Sequence, residues 1–288
     1  MGENFFSPEH NQPTEKPDKK TEIDLVRHSV SSYATYRDIT ASDNPEKQFD
    51  KDKQVTPDLT PEGVELARKK ANEFFSGLDS KDTKLFFVSS NEARALETAN
   101  IFREVAKETG FTILAPEHAR SGISEDIADG EIRAVNTLSL NLKNTLAMNL
   151  FNPSKNRRLV NFDALDPEKR DLYKKLEEDI DTDDKGSFAA NYLAYGEKVK
   201  QFFPEIETAD DLYNKQFKNL VRLARFAHGK VSAGGEKIKI LAFGHENYLL
   251  TALNGYFQEK GIGNCEVLQL EVNDASVEAS FRGKQASL

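Results

Sequence analysis

The chain has 288 residues, a formal net charge of −9 and a sequence pI of about 5.3. An acidic balance of this size argues against nucleic-acid backbones and anionic membrane surfaces as main partners. Hydrophobic residues make up 38% of the chain and charged residues 30%, which is typical of a soluble globular protein with a sizeable core.

The N-terminal region and the single cysteine indicate the compartment. Residues 1–20 are polar, contain three prolines and lack periodicity, so we expect a disordered tail followed by one domain over residues 21–288. Cys265 cannot form an intramolecular disulfide, and its apolar neighbours favour a small buried side chain. Without a signal-peptide pattern or an apolar run that could span a bilayer, we expect a cytoplasmic protein.

The first half of the domain reads as alternating strands and helices. Thr21–Ser29 carries an apolar run that predicts a buried strand ending at Arg27 and His28. Residues 29–59 predict a long loop near the mouth of a site. Thr60-Pro61-Glu62 is typical of a helix start, with Thr60 as the N-cap. The residues predicted to form its inner face are Val64, Ala67, Ala71, Phe74, Phe75 and Leu78.

A second strand is predicted over 84–90, a helix over about 91–108 and a short third strand over 112–115. Residues 131–205 contain irregular helical patterns, and we interpret them as an insertion that packs over one side of the domain. A long helix is predicted over roughly 209–228 and a strand over 238–243. The last residues, 265–272 and 277–281, predict a closing hairpin.

This order of elements predicts an α/β fold. We expect a three-layer αβα sandwich, with a mostly parallel central sheet, helices on both faces and the helical insertion. Ligands of such sheets bind outside the carboxyl ends of the strands. The pairs Arg27-His28, Ser89-Ser90 and Gly244-His245 all lie at predicted strand ends, so the pattern alone brings them to one edge.

Four motifs in chain order carry a resemblance to a known family. They are Leu25-Val26-Arg27-His28, Leu59-Thr60-Pro61-Glu62-Gly63, the segment Ser89-Ser90-Asn91-Glu92-Ala93-Arg94-Ala95-Leu96-Glu97-Thr98-Ala99, and Gly244-His245. Together they resemble the histidine phosphatase superfamily, in its phosphoglycerate-mutase-like branch. The third motif is the most specific. The resemblance covers residues 21–130 and about 205–260 and leaves the middle of the chain uncovered.

The resemblance implies roles for individual residues. His28 would be the nucleophile that forms a phosphohistidine, and Arg27, Arg94 and His245 would bind the phosphate. Forked guanidinium donors suit phosphoryl oxygens, and with the arginines neutralising charge no metal or other cofactor is expected. Ser29 stands where the family usually has Gly, and either alters the local backbone or donates a hydrogen bond to the phosphate.

The proton donor for the leaving group is expected in residues 121–131. Glu125 best resembles the family's acidic position, and Asp126, Asp129 and Glu131 remain alternatives. A solvated surface carboxylate is the competing interpretation of Glu125. Lys155, Arg157 and Arg158 form a basic cluster in the insertion, which is interpreted as a solvated face rather than a substrate contact.

The leading hypothesis is a metal-independent phosphomonoester hydrolase acting on a small phosphorylated substrate rather than on a phosphoprotein. The substrate itself and the oligomeric state are not indicated by the sequence. Glu246 stands where this branch more typically has Gly, and could disfavour anionic substrates or point away. The alternatives are a phosphoglycerate-mutase-like phosphotransferase, and a catalytically silent scaffold that binds phosphate or phosphoproteins.

Overall fold

A computed structural model describes residues 21–31, 59–90, 93–114, 162–182, 188–202, 204, 207–231, 237–273 and 276–288. The strands are β1 (Thr21–Arg27), β2 (Thr83–Ser89), β3 (Thr112–Ile113), β4 (Lys237–Gly244), β5 (Val267–Val272), β6 (Val277–Phe281) and β7 (Lys284–Ser287). The α-helices are α1 (Pro61–Ser76), α2 (Ala93–Glu108), α3 (Pro167–Thr182), α4 (Phe188–Lys200), α5 (Ala209–Leu212), α6 (Lys218–Val231) and α7 (Leu250–Phe257).

The strands form one mixed sheet in the order β3-β2-β4-β1-β5-β6-β7. Strands β3, β2, β4 and β1 run parallel to one another, as predicted. The closing hairpin adds β5 and β6 antiparallel beside β1, and a further strand, β7, continues the antiparallel part. Strand β1 is therefore central, with a parallel neighbour on one side and an antiparallel neighbour on the other.

Helices cover both faces of the sheet and confirm the α/β sandwich. On one face α1 and α2 bury a cluster that includes Ala71, Phe102 and Phe243. On the other face the cluster includes Leu220 of α6, Leu253 of α7 and Leu25 of β1. Alternation along β1 explains the division, since Leu25 and Val26 point to opposite faces of the sheet and belong to different clusters.

The predicted start of α1 is confirmed, whereas its predicted inner face is partly wrong. The Thr60 hydroxyl accepts a hydrogen bond from the Gly63 amide at 3.1 Å. Ala67, Ala71 and Phe75 are buried as predicted, but Val64 is 43% exposed. The face that meets the sheet begins instead at Gly63, where the helix approaches the chain that follows β1.

The long helix predicted over roughly 209–228 is observed as α5 and α6 joined by a π-helical turn at Tyr213–Phe217. Within the predicted insertion, α3 and α4 contribute Tyr173, Ile180 and Tyr192 to the buried cluster of their face. The division of the chain into a tail, a domain and an insertion stays a prediction. None of the helices in the described ranges is long and apolar enough to cross a membrane.

Candidate active site

The carboxyl ends of β1, β2 and β4 meet at one edge of the sheet. Arg27 lies beside Gly244 in the register of the parallel strands β1 and β4. The His28 amide donates to the Gly244 carbonyl at 2.9 Å, and the Ser90 amide donates to the Phe243 carbonyl at 2.9 Å. These backbone bonds bring together the three strand ends that the sequence predicted would converge.

His28 is held in one tautomer by the main chain. Its Nδ1 lies 2.7 Å from the carbonyl oxygen of Ser29. A carbonyl can only accept, so Nδ1 carries the proton and Nε2 of the neutral ring carries the lone pair. Burial, with the charges of Arg94 and Arg27, lowers the pKa of His28 to about 3, although the Ser29 carbonyl opposes this shift. The ring is therefore neutral at physiological pH.

His245 stands next to His28 at the end of β4. The two ring centroids are 5.3 Å apart, with the ring planes inclined at 60°. His245 Nε2 and the Ser90 hydroxyl lie 2.9 Å apart, and within the described part of the chain Nδ1 is buried without a hydrogen-bond partner. Burial lowers the pKa of His245 well below its usual value, and the charges of Arg94 and Arg27 act in the same direction.

Thr98 links the start of α2 to the chain after β1. Its hydroxyl donates to the Arg94 carbonyl at 2.7 Å and accepts from the Ser29 amide at 3.0 Å. The Ser29 hydroxyl in turn donates to the Gly63 carbonyl at 2.6 Å. Both Ser29 donors are thus engaged within the protein, and Arg94, only 4% exposed, is held beside the two histidines.

Arg27 is bound by groups from the other side of the site. Its Nη1 lies 3.0 Å from Glu246 Oε2 and also donates to the Ile262 carbonyl. Both side chains are largely buried, at 15% and 12% exposure. Burial raises the pKa of Glu246, and the charge of Arg27 opposes that rise. The carboxylate that the sequence marked as a departure from the family pattern therefore points into the site.

The segment 262–265 holds the end of β1 in place, a contact that was not predicted from the sequence. The Asn264 side-chain amide donates to the His28 carbonyl at 3.0 Å, and the Cys265 amide donates to the Arg27 carbonyl at 3.0 Å. Cys265 adopts a positive φ of 58°. As predicted, Cys265 is buried, and burial raises the pKa of its thiol. The glycines that flank Ile262 are the one sequence signal of a tight turn here.

Gly63 and Gly244 have steric roles in this arrangement. A Cβ at Gly63 would lie 2.0 Å from the Val30 carbonyl oxygen, so α1 could not approach the chain after His28. A Cβ at Gly244 would lie 2.8 Å from the Tyr248 ring and hydroxyl. The glycines of two of the predicted motifs thus permit close packing around the histidines.

Solved structures with a similar chain path include phosphatases and a mutase. No protein-family model matches the sequence, and no curated protein does. A phosphoglycerate mutase from Bacillus anthracis str. Sterne is 13% identical with a TM-score of 0.47, over 94% of this chain and 92% of that one. A protein described as mycobacterial hydrolase 2 is 14% identical with a TM-score of 0.44, over 93% and 89%.

A mycobacterial glucosyl-3-phosphoglycerate phosphatase is 14% identical with a TM-score of 0.39, over 87% of this chain and 89% of that one. Similarity of this degree does not by itself assign an activity to this chain.

Several predicted residues lie outside the described part of the chain. They are Glu125, Asp126, Asp129 and Glu131, the candidate proton donors, and Lys155, Arg157 and Arg158, the basic cluster. Their roles stay predictions. The residues that the structure brings together are Arg27, His28, Arg94 and His245, with Ser29 in the supporting network and Glu246 facing Arg27.

Chemically, the arrangement suits an anion beside a nitrogen nucleophile. Two guanidinium groups supply fixed positive charge, and two neutral imidazoles supply a lone pair and hydrogen bonds. His28 and His245 are 3% and 2% exposed, so an anion bound there would be largely withdrawn from water. Electrostatic interactions are stronger in such a place than in bulk solvent.

Proposed function

We propose that the chain is a phosphomonoester hydrolase that works through a phosphohistidine on His28. The observation that carries the proposal is the fixed tautomer of His28. The Nδ1 proton is given to the Ser29 carbonyl, so the Nε2 lone pair is available as nucleophile without prior removal of a proton. Arg27, Arg94 and His245 supply the surroundings that a phosphoryl group requires.

In the proposed first step, His28 Nε2 attacks phosphorus and the bond from phosphorus to the ester oxygen breaks. Charge on the three remaining phosphoryl oxygens is stabilised by the guanidinium groups of Arg27 and Arg94. His245 donates a hydrogen bond from Nδ1 to one of these oxygens, while its Nε2 accepts from the Ser90 hydroxyl. The buried Nδ1, which has no partner in the described ranges, supports this role.

The leaving oxygen needs a proton, which we assign to the carboxylic acid predicted at Glu125. In the second step water attacks the phosphohistidine, its proton passes to the Glu125 carboxylate, and the nitrogen–phosphorus bond breaks. The products are inorganic phosphate and unphosphorylated His28, so the carboxyl group and the imidazole both return to their starting states. No step of this scheme calls on a metal ion.

The substrate class that the site favours is a small phosphomonoester. Both histidines are nearly inaccessible, so we expect the phosphate to reach them through a narrow opening at the edge of the sheet. Residues 29–59 and the predicted insertion flank this edge in the sequence-based scheme and would select the alcohol part of the substrate. A small metabolite fits such an opening more readily than a folded phosphoprotein does.

The test is release of inorganic phosphate from a generic aryl phosphate, with chelator present. We expect the wild type to be active and His28→Ala to lose at least about a thousandfold in turnover, since the covalent route is removed. His228→Ala, which alters a histidine of α6, is the matched control and should retain activity. Acid-labile and base-stable label on the wild-type protein after a quench would identify the phosphohistidine.

Equal activity of the wild type and His28→Ala would refute the proposal. A phosphoglycerate-mutase-like phosphotransferase would instead isomerise a monophosphorylated three-carbon acid without net release of phosphate. A silent scaffold would bind phosphate with neither hydrolysis nor label on His28. Product analysis with the same protein preparations distinguishes the three.

A further inference from the structure

The ion pair between Arg27 and Glu246 bears on how the site takes up its phosphate. Arg27 is the arginine adjacent to the proposed nucleophile, yet its Nη1 is already engaged by Glu246 Oε2 at 3.0 Å and by the Ile262 carbonyl. Its Nε is buried and has no hydrogen-bond partner among the described residues. One edge of the guanidinium is thus occupied by an anionic group of the protein itself.

A phosphate that binds Arg27 must come close to this carboxylate. Groups that share one guanidinium lie only a few ångströms apart, and a carboxylate and a phosphate dianion repel each other strongly at that separation in a partly buried site. Glu246 is held at this place by the Ile262 amide, which donates to its carboxylate, as well as by Arg27 Nη1 at 3.0 Å. A shared proton removes the repulsion and turns it into a hydrogen bond.

The other titratable groups of the described site are poorer acceptors for that proton than Glu246 is. His28 and His245 are neutral at physiological pH, and Arg27 and Arg94 have no acceptor function. Of the charged groups around Glu246, Arg27 is the one whose charge acts on its pKa, and that charge only partly offsets burial, which raises the pKa. The carboxyl of Glu246 is therefore the group nearest to taking up a proton.

We propose that Glu246 competes with phosphate for Arg27, and that a phosphate dianion binds together with one proton shared between Glu246 and a phosphoryl oxygen. The proposal rests on the proposed function only in taking Arg27 as a ligand of the phosphate. As the pH falls, Glu246 is protonated, the competitor is removed and phosphate binds more tightly. As the pH rises, the competition returns in full.

The test is calorimetric titration of the full chain with inorganic phosphate at about pH 8, in buffers of different ionisation enthalpy. We expect the wild type to take up about one proton per phosphate. Glu246→Gln, which keeps the shape and removes the charge, should take up markedly less and bind phosphate about 10- to 100-fold more tightly. At about pH 5 the two proteins should differ by much less.

Glu259→Gln is the matched control, since Glu259 forms ion pairs with Arg282 and Lys284 away from the histidines. It should behave as the wild type does. A wild type that takes up no proton, or a Glu246→Gln variant that binds phosphate equally or less tightly, would overturn the inference. A variant whose turnover falls most for esters with poor leaving groups would also overturn it, because Glu246 would then be a proton donor.

Failure of this inference and failure of the proposed function give different results. If Glu246→Gln binds phosphate more tightly but the wild type hydrolyses no ester, the competition stands and the hydrolase proposal falls. If hydrolysis depends on His28 but both proteins bind phosphate alike, the hydrolase stands and the competition falls. If neither protein binds phosphate, the competition falls, and the ester assay with His28→Ala alone decides the hydrolase. If Glu246→Gln does not fold, two measurements decide the competition instead. They are the affinity of Glu246→Gly for phosphate and the number of protons that the wild type takes up per phosphate.

Discussion

The chemistry of the site depends on hydrogen bonds that fix where protons lie and how the side chains are oriented. His28 would be an ambiguous imidazole without the Ser29 carbonyl, which fixes the proton on Nδ1. Ser29 in turn is fixed by Thr98 and Gly63. The Ser29 hydroxyl thus adds a hydrogen bond that ties the segment after His28 to α1.

The first prediction concerns the protonation of His28. Its pKa of about 3, caused by burial and by two neighbouring arginines, means that the ring stays neutral as the pH falls from 7 to 5. An ordinary histidine, with a pKa of about 6.5, becomes mostly charged over the same range. NMR of histidine-labelled protein, assigned with His28→Ala and His245→Ala, should show two rings that do not titrate over this interval.

A His28 resonance with a midpoint near its ordinary value would contradict this prediction. The consequence for activity has a definite sign. Because the nucleophile is not lost on mild acidification, kcat/KM should not fall from protonation of His28 above about pH 4, since kcat/KM reports the free enzyme. Protonation of Glu246 as the pH falls would also release Arg27 to bind phosphate. We therefore expect kcat/KM to be higher on the acidic side of neutrality than on the basic side.

At the scale of elements, the approach of α1 to the chain after β1 is the most constrained contact near the site. The Thr60 amide donates a hydrogen bond to the Val30 carbonyl at 3.1 Å, and Gly63 lies against the same carbonyl. The predicted inner face missed this because it weighed apolar residues only, and a glycine adds nothing to such a pattern. The position of Val64 on the outside follows once Gly63 faces inward.

Gly63→Ala should therefore lower both stability and phosphate affinity. The new Cβ would sit 2.0 Å from the Val30 carbonyl oxygen, so the segment that orients His28 must move. We expect a loss of about 1–3 kcal/mol in the free energy of unfolding, as for overpacked sites. Denaturant unfolding and phosphate titration measure the two effects.

Gly255→Ala is the control for that substitution. Gly255 lies in α7, and a Cβ there meets nothing within 4 Å. Its replacement should raise stability by about 0.5–1 kcal/mol, because glycine is a poor helix former. A Gly63→Ala protein with wild-type stability and affinity would show that the approach of α1 does not constrain the site.

The order of strands and helices could be predicted from the sequence because it rests on local periodicity. Arg27, His28 and His245 could be placed at one edge because parallel strand ends converge, whereas the role of Arg94 was predicted from the resemblance of its motif. The contacts of Glu246, Asn264 and Ile262 could not, since they depend on how an antiparallel strand enters beside β1. No local pattern encodes the meeting of segments that are 235 positions apart, as Arg27 and Ile262 are.

At the scale of the whole molecule, the centre of the sheet carries a buried charge network. Lys239 Nζ, whose side chain is 2% exposed, lies 2.7 Å from Asp24 Oδ2 and 2.5 Å from Glu22 Oε2. Burial alone would lower the pKa of Lys239, but these carboxylates raise it above its ordinary value. Lys237 Nζ also lies 3.1 Å from Glu22 Oε1, so two lysines face the two carboxylates.

Lys239→Met should destabilise the protein strongly. The substitution leaves the carboxylates of Asp24 and Glu22 without their buried partner, and breaking such a pair costs about 3–5 kcal/mol. Adding Asp24→Leu should recover much of this loss, because the buried charge is removed as well. Arg282→Met, which breaks exposed pairs with Glu266 and Glu259, is the control and should cost less than about 1 kcal/mol.

Denaturant unfolding of the four proteins tests this network. A Lys239→Met protein as stable as the Arg282→Met protein would contradict it, and so would a double variant no better than the single one. Lys239 and Asp24 lie within β4 and β1, not at the strand ends where His28 and His245 follow. The fraction of each variant that remains folded should therefore bind phosphate as tightly as the wild type does.

The pairing of β1 with β4 and β5 has a consequence for protein synthesis. His28 is translated before the groups that hold the end of β1, such as Asn264, which follows 236 positions later. Until β4 and β5 are made, β1 lacks both of its strand partners, so the segment that carries His28 has no fixed place at the edge of the sheet. A nascent chain arrested before β5 should accordingly be unable to transfer phosphate, so that translation itself determines when the activity begins.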